Sequence, residues 1–184
     1  MTGYSEIYGD LITLALARKF DVIAHGCNCF CTMGAGVAVP MKNAWKCDTY
    51  PLEDKKHKGD INKLGQIDYQ YFTYTVPMHP TDNGWRKSNP NDLHNNDVNL
   101  IVVNAYTQYM YGPNHKDGAP KPFDYDAFTL CMRKMNHAFE GMHIGMPQIG
   151  SHLAGGDWVE IKKIILRELK DCKVTIVIFK PVLA

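Results

Sequence analysis

Short apolar runs alternate with amphipathic stretches along almost the whole chain, and no other feature limits the possible fold as strongly. Asp21-Val22-Ile23-Ala24-His25, Leu100-Ile101-Val102-Val103-Asn104-Ala105-Tyr106 and Val174 to Phe179 are almost uninterrupted apolar segments of strand length. Strands buried on both faces have this character. Ile67 to Val76 is rich in β-branched and aromatic residues and is a further strand. Tyr4 to Tyr8 and His143 to Met146 are shorter ones. Between them lie helical stretches: Leu11 to Ala17 behind Asp10, Met33 to Cys47, Asp124 to Phe139 and Asp157 to Leu169. In the third of these, Phe128, Met132, Met135 and Phe139 form one stripe, the mark of a helix with a buried face. Strands alternating with helices imply an α/β layer fold with a mixed or mostly parallel sheet. Pro77 to Asn99 and Tyr111 to Pro122, rich in turn-forming residues, are expected to be long polar surface loops.

At 184 residues and 45% hydrophobic content the chain fits one domain, 1–184, with a substantial core. Lys and Arg number 20 against 19 Asp and Glu, a net charge of +1. Such a balance gives no support to nucleic acid or an anionic membrane as partner. No apolar run approaches the roughly 20 residues of a membrane span, and the N-terminus has no signal-peptide pattern. A cytoplasmic location is expected. There the six cysteines should be reduced thiols rather than a disulfide framework. His25, Cys27, Cys29 and Cys31, spaced two apart, would share a face if their strand continued. Metal knuckles use C-x-x-C spacing and a second ligand pair, and neither stands here, so no metal and no cofactor is expected.

Ligands of α/β sheets sit beyond the carboxyl ends of the strands. Two glycine-rich segments fall there. His25-Gly26-Cys27-Asn28 runs through Cys29 to Met33 into Gly34-Ala35-Gly36-Val37-Ala38, from a buried strand to a helix. Gly150-Ser151-His152-Leu153-Ala154-Gly155-Gly156-Asp157-Trp158 repeats the strand-to-helix step. Small residues let a ligand approach the main chain, and amides at a helix start carry partial positive charge. Two such loops are able to clamp a diphosphate without lysines, although each alone is also compatible with a plain turn. Neither matches the P-loop or the G-x-G-x-x-G fingerprint.

In this order the motifs resemble the macro domain family. The likeness spans nearly the whole chain: Gly9-Asp10-Leu11, the loop from Asn28 to Ala38, Met146 to Trp158, and the last strand. It is closest to the ADP-ribose-1″-phosphate phosphatases of fungal and phage type. They share the run His-x-Cys-Asn-Cys, the Gly-x-Gly-[Val/Ile]-Ala loop and the Met-Pro-x-Ile segment, here Met146-Pro147-Gln148-Ile149. The resemblance implies a three-layer α/β/α macro domain with a central mixed sheet. It also implies an adenine site in which Asp10 accepts from the amino group, the Leu11 amide reads the ring and Phe179 lines the pocket. Asn28 would contact the distal ribose. The amides of Gly34, Ala35, Gly36 and Val37 would face those of loop two (Gly150, Ser151, His152, Leu153, Ala154 and Gly155) across the diphosphate.

The sequence departs from two catalytic branches of the family. Ala38 stands where one carries an aspartate; Asn104 and Ala154 stand near the lysine and at the aspartate of the other. What remains is His25, whose ordinary pKa of about 6.5 suits general acid or base work. It is either that group, acting on a phosphate at the ribose 1″ carbon with Asn28 orienting the sugar, or a structural residue. Asp157 is a second catalytic candidate, with a helix N-cap as its plainer role. His152 reaches the phosphate or is an exposed loop histidine. The resulting expectation is a metal-independent phosphatase converting ADP-ribose 1″-phosphate to ADP-ribose and phosphate. A reader of ADP-ribose or ADP-ribosylated protein, and an esterase acting on O-acetyl-ADP-ribose or ADP-ribosyl esters, are the alternatives.

Overall fold

The computed structural model describes residues 3–49, 58–75, 78–81, 84–87, 97–111 and 122–179. The elements follow in the order β1 (Tyr4–Tyr8), α1 (Leu11–Leu16), β2 (Val22–Asn28), α2 (Ala38–Trp45), β3 (Ile67–Thr75), β4 (Met78–Thr81) and β5 (Gly84–Lys87). Then come β6 (Asp97–Gln108), α3 (Tyr125–Ala138), β7 (His143–Pro147), α4 (Trp158–Glu168) and β8 (Lys173–Ile178). Six strands form one sheet in the order β1-β8-β7-β2-β6-β3. Every neighbouring pair is parallel except β3 with β6, so the sheet is mixed.

Side-chain alternation divides the core in two. Val22 and Ala24 of β2 face Phe128, Met132, Ile161 and Ile165 of α3 and α4. Ile23 and Cys27 face Leu11 and Ala15 of α1 and Met41 and Trp45 of α2. Helices thus cover both faces of the sheet, and the fold is three-layered α/β/α. Burial on both sides explains why β2 and β6 are apolar without a polar face. Phe128 is fully buried on α3, where truncation to Ala would cost about 3–5 kcal/mol.

Aspartates start three of the helices. Asp10 Oδ1 accepts from the Thr13 amide at 2.7 Å, Asp124 Oδ1 from the Ala127 amide at 2.8 Å, and Asp157 Oδ1 from the Val159 amide at 2.8 Å. Each cap stabilises its helix by about 1 kcal/mol.

Two expectations need correction. The helix expected from Met33 begins only at Ala38, because Gly36 takes a left-handed φ of 60° that no α-helix continues through. The stretch expected as polar loop from Pro77 to Asn99 contains the antiparallel hairpin β4–β5, and β6 starts at Asp97. Asp97 to Asn99 are strand because Thr73 to Thr75 pair with them, which their own polarity does not suggest. Most of the second expected loop, 112–121, lies outside the described residues.

Candidate functional site

Because β1, β8, β7 and β2 run parallel, the segments that follow them emerge at one edge of the sheet. Asp10 and Leu11 follow β1, Phe179 follows β8, loop two follows β7 and loop one follows β2. The Gly9 amide donates to Ile178 O at 3.0 Å, which ties the Asp10 corner to the Phe179 corner. Loops one and two also meet: a Cβ built on Gly36 would lie 3.7 Å from Leu153 Cδ1. The segments that carry the residues singled out in the sequence therefore gather at one end of the sheet.

Loop one is organised from within. Asn28 is buried, its Oδ1 accepts from the amides of Phe30 at 3.0 Å and Thr32 at 3.2 Å, and its Nδ2 donates to Thr32 O at 2.9 Å. Through these bonds the side chain shapes the loop. Past Thr32 the loop opens. Gly34, Ala35 and Gly36 are exposed, Val37 is half-buried, and their amides donate to no other described residue. A run of unused donors beside the start of α2 is an arrangement that suits an anion.

Loop two is different. The Ser151 amide donates to Gln148 O, the Gly155 amide to His152 O and the Gly156 amide to Gly150 O. Ser151 and Gly155 therefore do not offer the amide donors expected of them. Those of His152, Leu153 and Ala154 donate to no other described residue. Gly150 adopts a φ of 80° directly beneath Phe123; a Cβ there would lie 2.3 Å from Phe123 Cε2.

The histidines have opposite surroundings. His25 is wholly buried, and Nε2 lies 2.8 Å from Asn104 Oδ1. Asn104 Nδ2 donates to Cys47 O at 2.8 Å, which orients the amide, so Nε2 of His25 is the donor. Burial pulls the His25 ring down to about 4, and it is neutral near pH 7. His25 thus has no exposed surface, and its Nε2 is committed to Asn104. His152 is exposed, its Nδ1 lies 2.9 Å from Ser151 Oγ, and its Nε2 has no partner among the described residues. Asp157 is the N-cap of α4, and its amide donates to the Tyr125 hydroxyl at 2.8 Å.

At the other corner, Asp10 uses Oδ1 for its cap, where Thr13 Oγ1 also donates at 2.8 Å. Leu11 is buried in the core, whereas Phe179 is exposed, 69% of its surface being open.

The six cysteines are free thiols. Strand β2 ends at Asn28, and Cys31 turns to a left-handed φ of 55°, so His25, Cys27, Cys29 and Cys31 do not form one row. Among the described residues no three His, Cys, Asp or Glu side chains gather to hold a metal ion. Burial pushes the Cys47 thiol up to about 12 and Cys27 well above its ordinary value. Both are therefore unreactive thiols.

The structure adds a pair that sequence reading overlooked. Tyr106 is buried on β6, and its hydroxyl donates to Asp68 Oδ2 of β3. Asp68 is the single charged residue in the aromatic run from Ile67 to Val76, and that oddity was the available signal.

No family model matches the chain. An uncharacterised 17.5 kDa protein of Enterobacteria phage T4, from the tk-vs intergenic region, is 30% identical over 181 residues, covering 96% of this chain and 97% of the phage protein. The macrodomain of Thermus aquaticus DarG superposes with a TM-score of 0.56 at 17% identity, covering 98% of this chain and 100% of its own. Thermosipho africanus DarTG in complex with ADP-ribose superposes with a TM-score of 0.61 at 14% identity, over 99% of this chain and 42% of the larger protein. With its mixed sheet, helices on both faces and glycine-rich loops after β2 and β7, the chain has the fold of the macro domains, and it belongs to one family with the phage T4 protein.

Proposed function

We propose that this protein binds ADP-ribose, or an ester of it, with the diphosphate between loops one and two. The observation that carries the reading is the run of unused amides from Gly34 to Val37, set against those of His152, Leu153 and Ala154. Preorganised main-chain donors neutralise a diphosphate without basic side chains, which agrees with a net charge of only +1. The base end has its own fittings. Asp10 Oδ2 has no hydrogen-bond partner among the described residues and accepts from an exocyclic amine, while the exposed Phe179 ring offers a stacking face. The ADP-ribose held by the similarly folded Thermosipho protein supports the same ligand class.

A second reading, hydrolysis of ADP-ribose 1″-phosphate, is favoured by one specific observation. His152 holds an exposed ring with a free Nε2 on the loop that offers the amides, oriented by Ser151 Oγ. In this reading water attacks the phosphorus while the amides hold the phosphoryl oxygens, and a protonated His152 gives its Nε2 proton to the ribose 1″ oxygen as the P–O bond breaks. His25 only supports the scaffold.

Calorimetric titration with ADP-ribose tests the first reading; a wild-type protein that binds neither ADP-ribose nor its 1″-phosphate removes it. Phosphate release from the 1″-phosphate, measured for wild type, His25→Ala and His152→Ala, tests the second. Loss in His152→Ala by on the order of 100-fold with affinity retained supports it. Unchanged release in His152→Ala removes His152 from the chemistry, and no release from wild type leaves a binding module.

A further inference from the structure

Beneath loop one, a chain of side chains crosses three strands and ends on the loop itself. The register sets His25 of β2 beside Asn104 of β6, and Asn104 beside Asp68 of β3. One pleat further along, Tyr106 stands beside Cys27. The Tyr106 hydroxyl donates its only proton to Asp68 Oδ2, and its oxygen lies 3.5 Å from Cys31 Sγ. With that proton already used, the thiol is the donor in the second contact. A carboxylate on the edge strand is thereby linked through a buried phenol to a residue of loop one.

The far end of this link needs support. Cys31 holds a left-handed φ of 55°, a conformation costing a non-glycine residue about 1–2 kcal/mol. Such strain persists only where neighbours over-determine it. Cys31 is held by its amide bond to Asn28 O at 2.9 Å and by the thiol contact to Tyr106. Between them these contacts turn the chain from Asn28 toward Gly34. The near end carries a cost as well: Asp68 Oδ1 is buried with no hydrogen-bond partner among the described residues. Burial accordingly raises the Asp68 carboxyl, against the pull of the Tyr106 hydroxyl, the Asn104 side-chain amide and the Lys63 charge. Lys63 Nζ also sits 5.9 Å above the Tyr106 ring. Of the groups that hold the carboxyl in so unfavourable a place, the Tyr106 hydroxyl has the largest effect.

We propose that Tyr106 and Asp68 are positioning residues that hold loop one in its ligand-binding shape, acting on the amides of Gly34 to Val37 through Cys31. This rests on the reading that those amides bind the ligand. The pair touches no ligand itself. Tyr106→Phe removes the hydroxyl and nothing else. Asp68→Asn keeps an oxygen to accept from Tyr106, whereas Asp68→Ala keeps none.

The test is amide hydrogen exchange on the ligand-free protein, read at Cys29, Phe30, Cys31 and Thr32, whose amides are all hydrogen-bonded. ADP-ribose affinity is measured in parallel. Tyr106→Phe and Asp68→Ala are expected to exchange about tenfold faster at these amides and to bind ADP-ribose about tenfold more weakly, with β7 exchanging as in wild type. Asp68→Asn is expected to stay within about twofold of wild type in both. Unchanged exchange at 29–32 in Tyr106→Phe overturns the proposal. So does acceleration that is equal in loop one and β7, which would mark a merely structural role. Should Asp68→Ala not fold, the conservative Tyr106→Phe decides alone. A wild type that fails to bind ADP-ribose sinks the ligand reading, while the exchange data still decide whether the clamp exists.

Discussion

Loop one leaves its main-chain donors open from Gly34 to Val37, whereas loop two turns the amides of Ser151, Gly155 and Gly156 onto its own carbonyls. Loop one is shaped from below by side chains, with Asn28 bonded across the turn and Tyr106 meeting Cys31. Loop two is shaped by packing, its Gly150 pressed against the Phe123 ring. The contrast teaches that similar glycine-rich strings perform different work. In the proposed reading one is a cradle shaped by a polar network, the other a packed wall that presents His152, Leu153 and Ala154.

If loop two is the packed wall, the largest effect belongs there. Gly150→Ala adds a methyl 2.3 Å from Phe123 Cε2 on a left-handed backbone, and should destabilise the fold by about 2–5 kcal/mol. Thermal melting measures this, and a melting point equal to wild type would break the comparison. The next effect belongs to loop one and to acid. His25 has a folded value of about 4, below the ordinary 6.5 that applies when the chain unfolds. Its contribution is therefore complete above about pH 6.5 and falls away toward pH 4, amounting to about 3 kcal/mol. Denaturant titrations from pH 7 to 4 should show this loss, and His25→Ala should flatten the profile while lowering stability at pH 7.

Gly36→Ala sharpens the contrast between the two glycines. Its methyl meets only ordinary contact with Leu153 at 3.7 Å, leaving the left-handed strain of about 1–2 kcal/mol. Stability should fall less than in Gly150→Ala, while ADP-ribose affinity drops about tenfold as the amides turn away. Equal affinity to wild type in calorimetry would show that loop one is not the cradle. The smallest change is expected for His152→Ala, within about 0.5 kcal/mol of wild-type stability because the ring is exposed and holds only Ser151 Oγ. A larger drop on melting would mean that His152 braces its loop.

Much of this was legible before any fold was known. Asp10, Asp124 and Asp157 cap helices as their positions suggest, because a cap is a local arrangement of side chain and following amides. The two-faced core was legible from β2 and β6, whose runs have no polar side. The start of α2 was misplaced by several residues, since Met33 to Val37 share the helical spacing and only Gly36's φ reveals the break. Asp97 to Asn99 could not be read as strand from their own side chains, because pairing with Thr73 to Thr75 makes them so.

The sequence by itself determined the order of strand, loop and helix, the helix caps, and the places of the two glycine-rich loops. These depend on conformational preferences that act over a few residues. Only the tertiary structure decided which histidine is sealed in and which is open, which amides stay unused, and that Asp68 reaches Cys31 through Tyr106. Each of those follows from cross-strand register and from Cys47 arriving over His25 after α2, where burial changes what a titratable group is able to do.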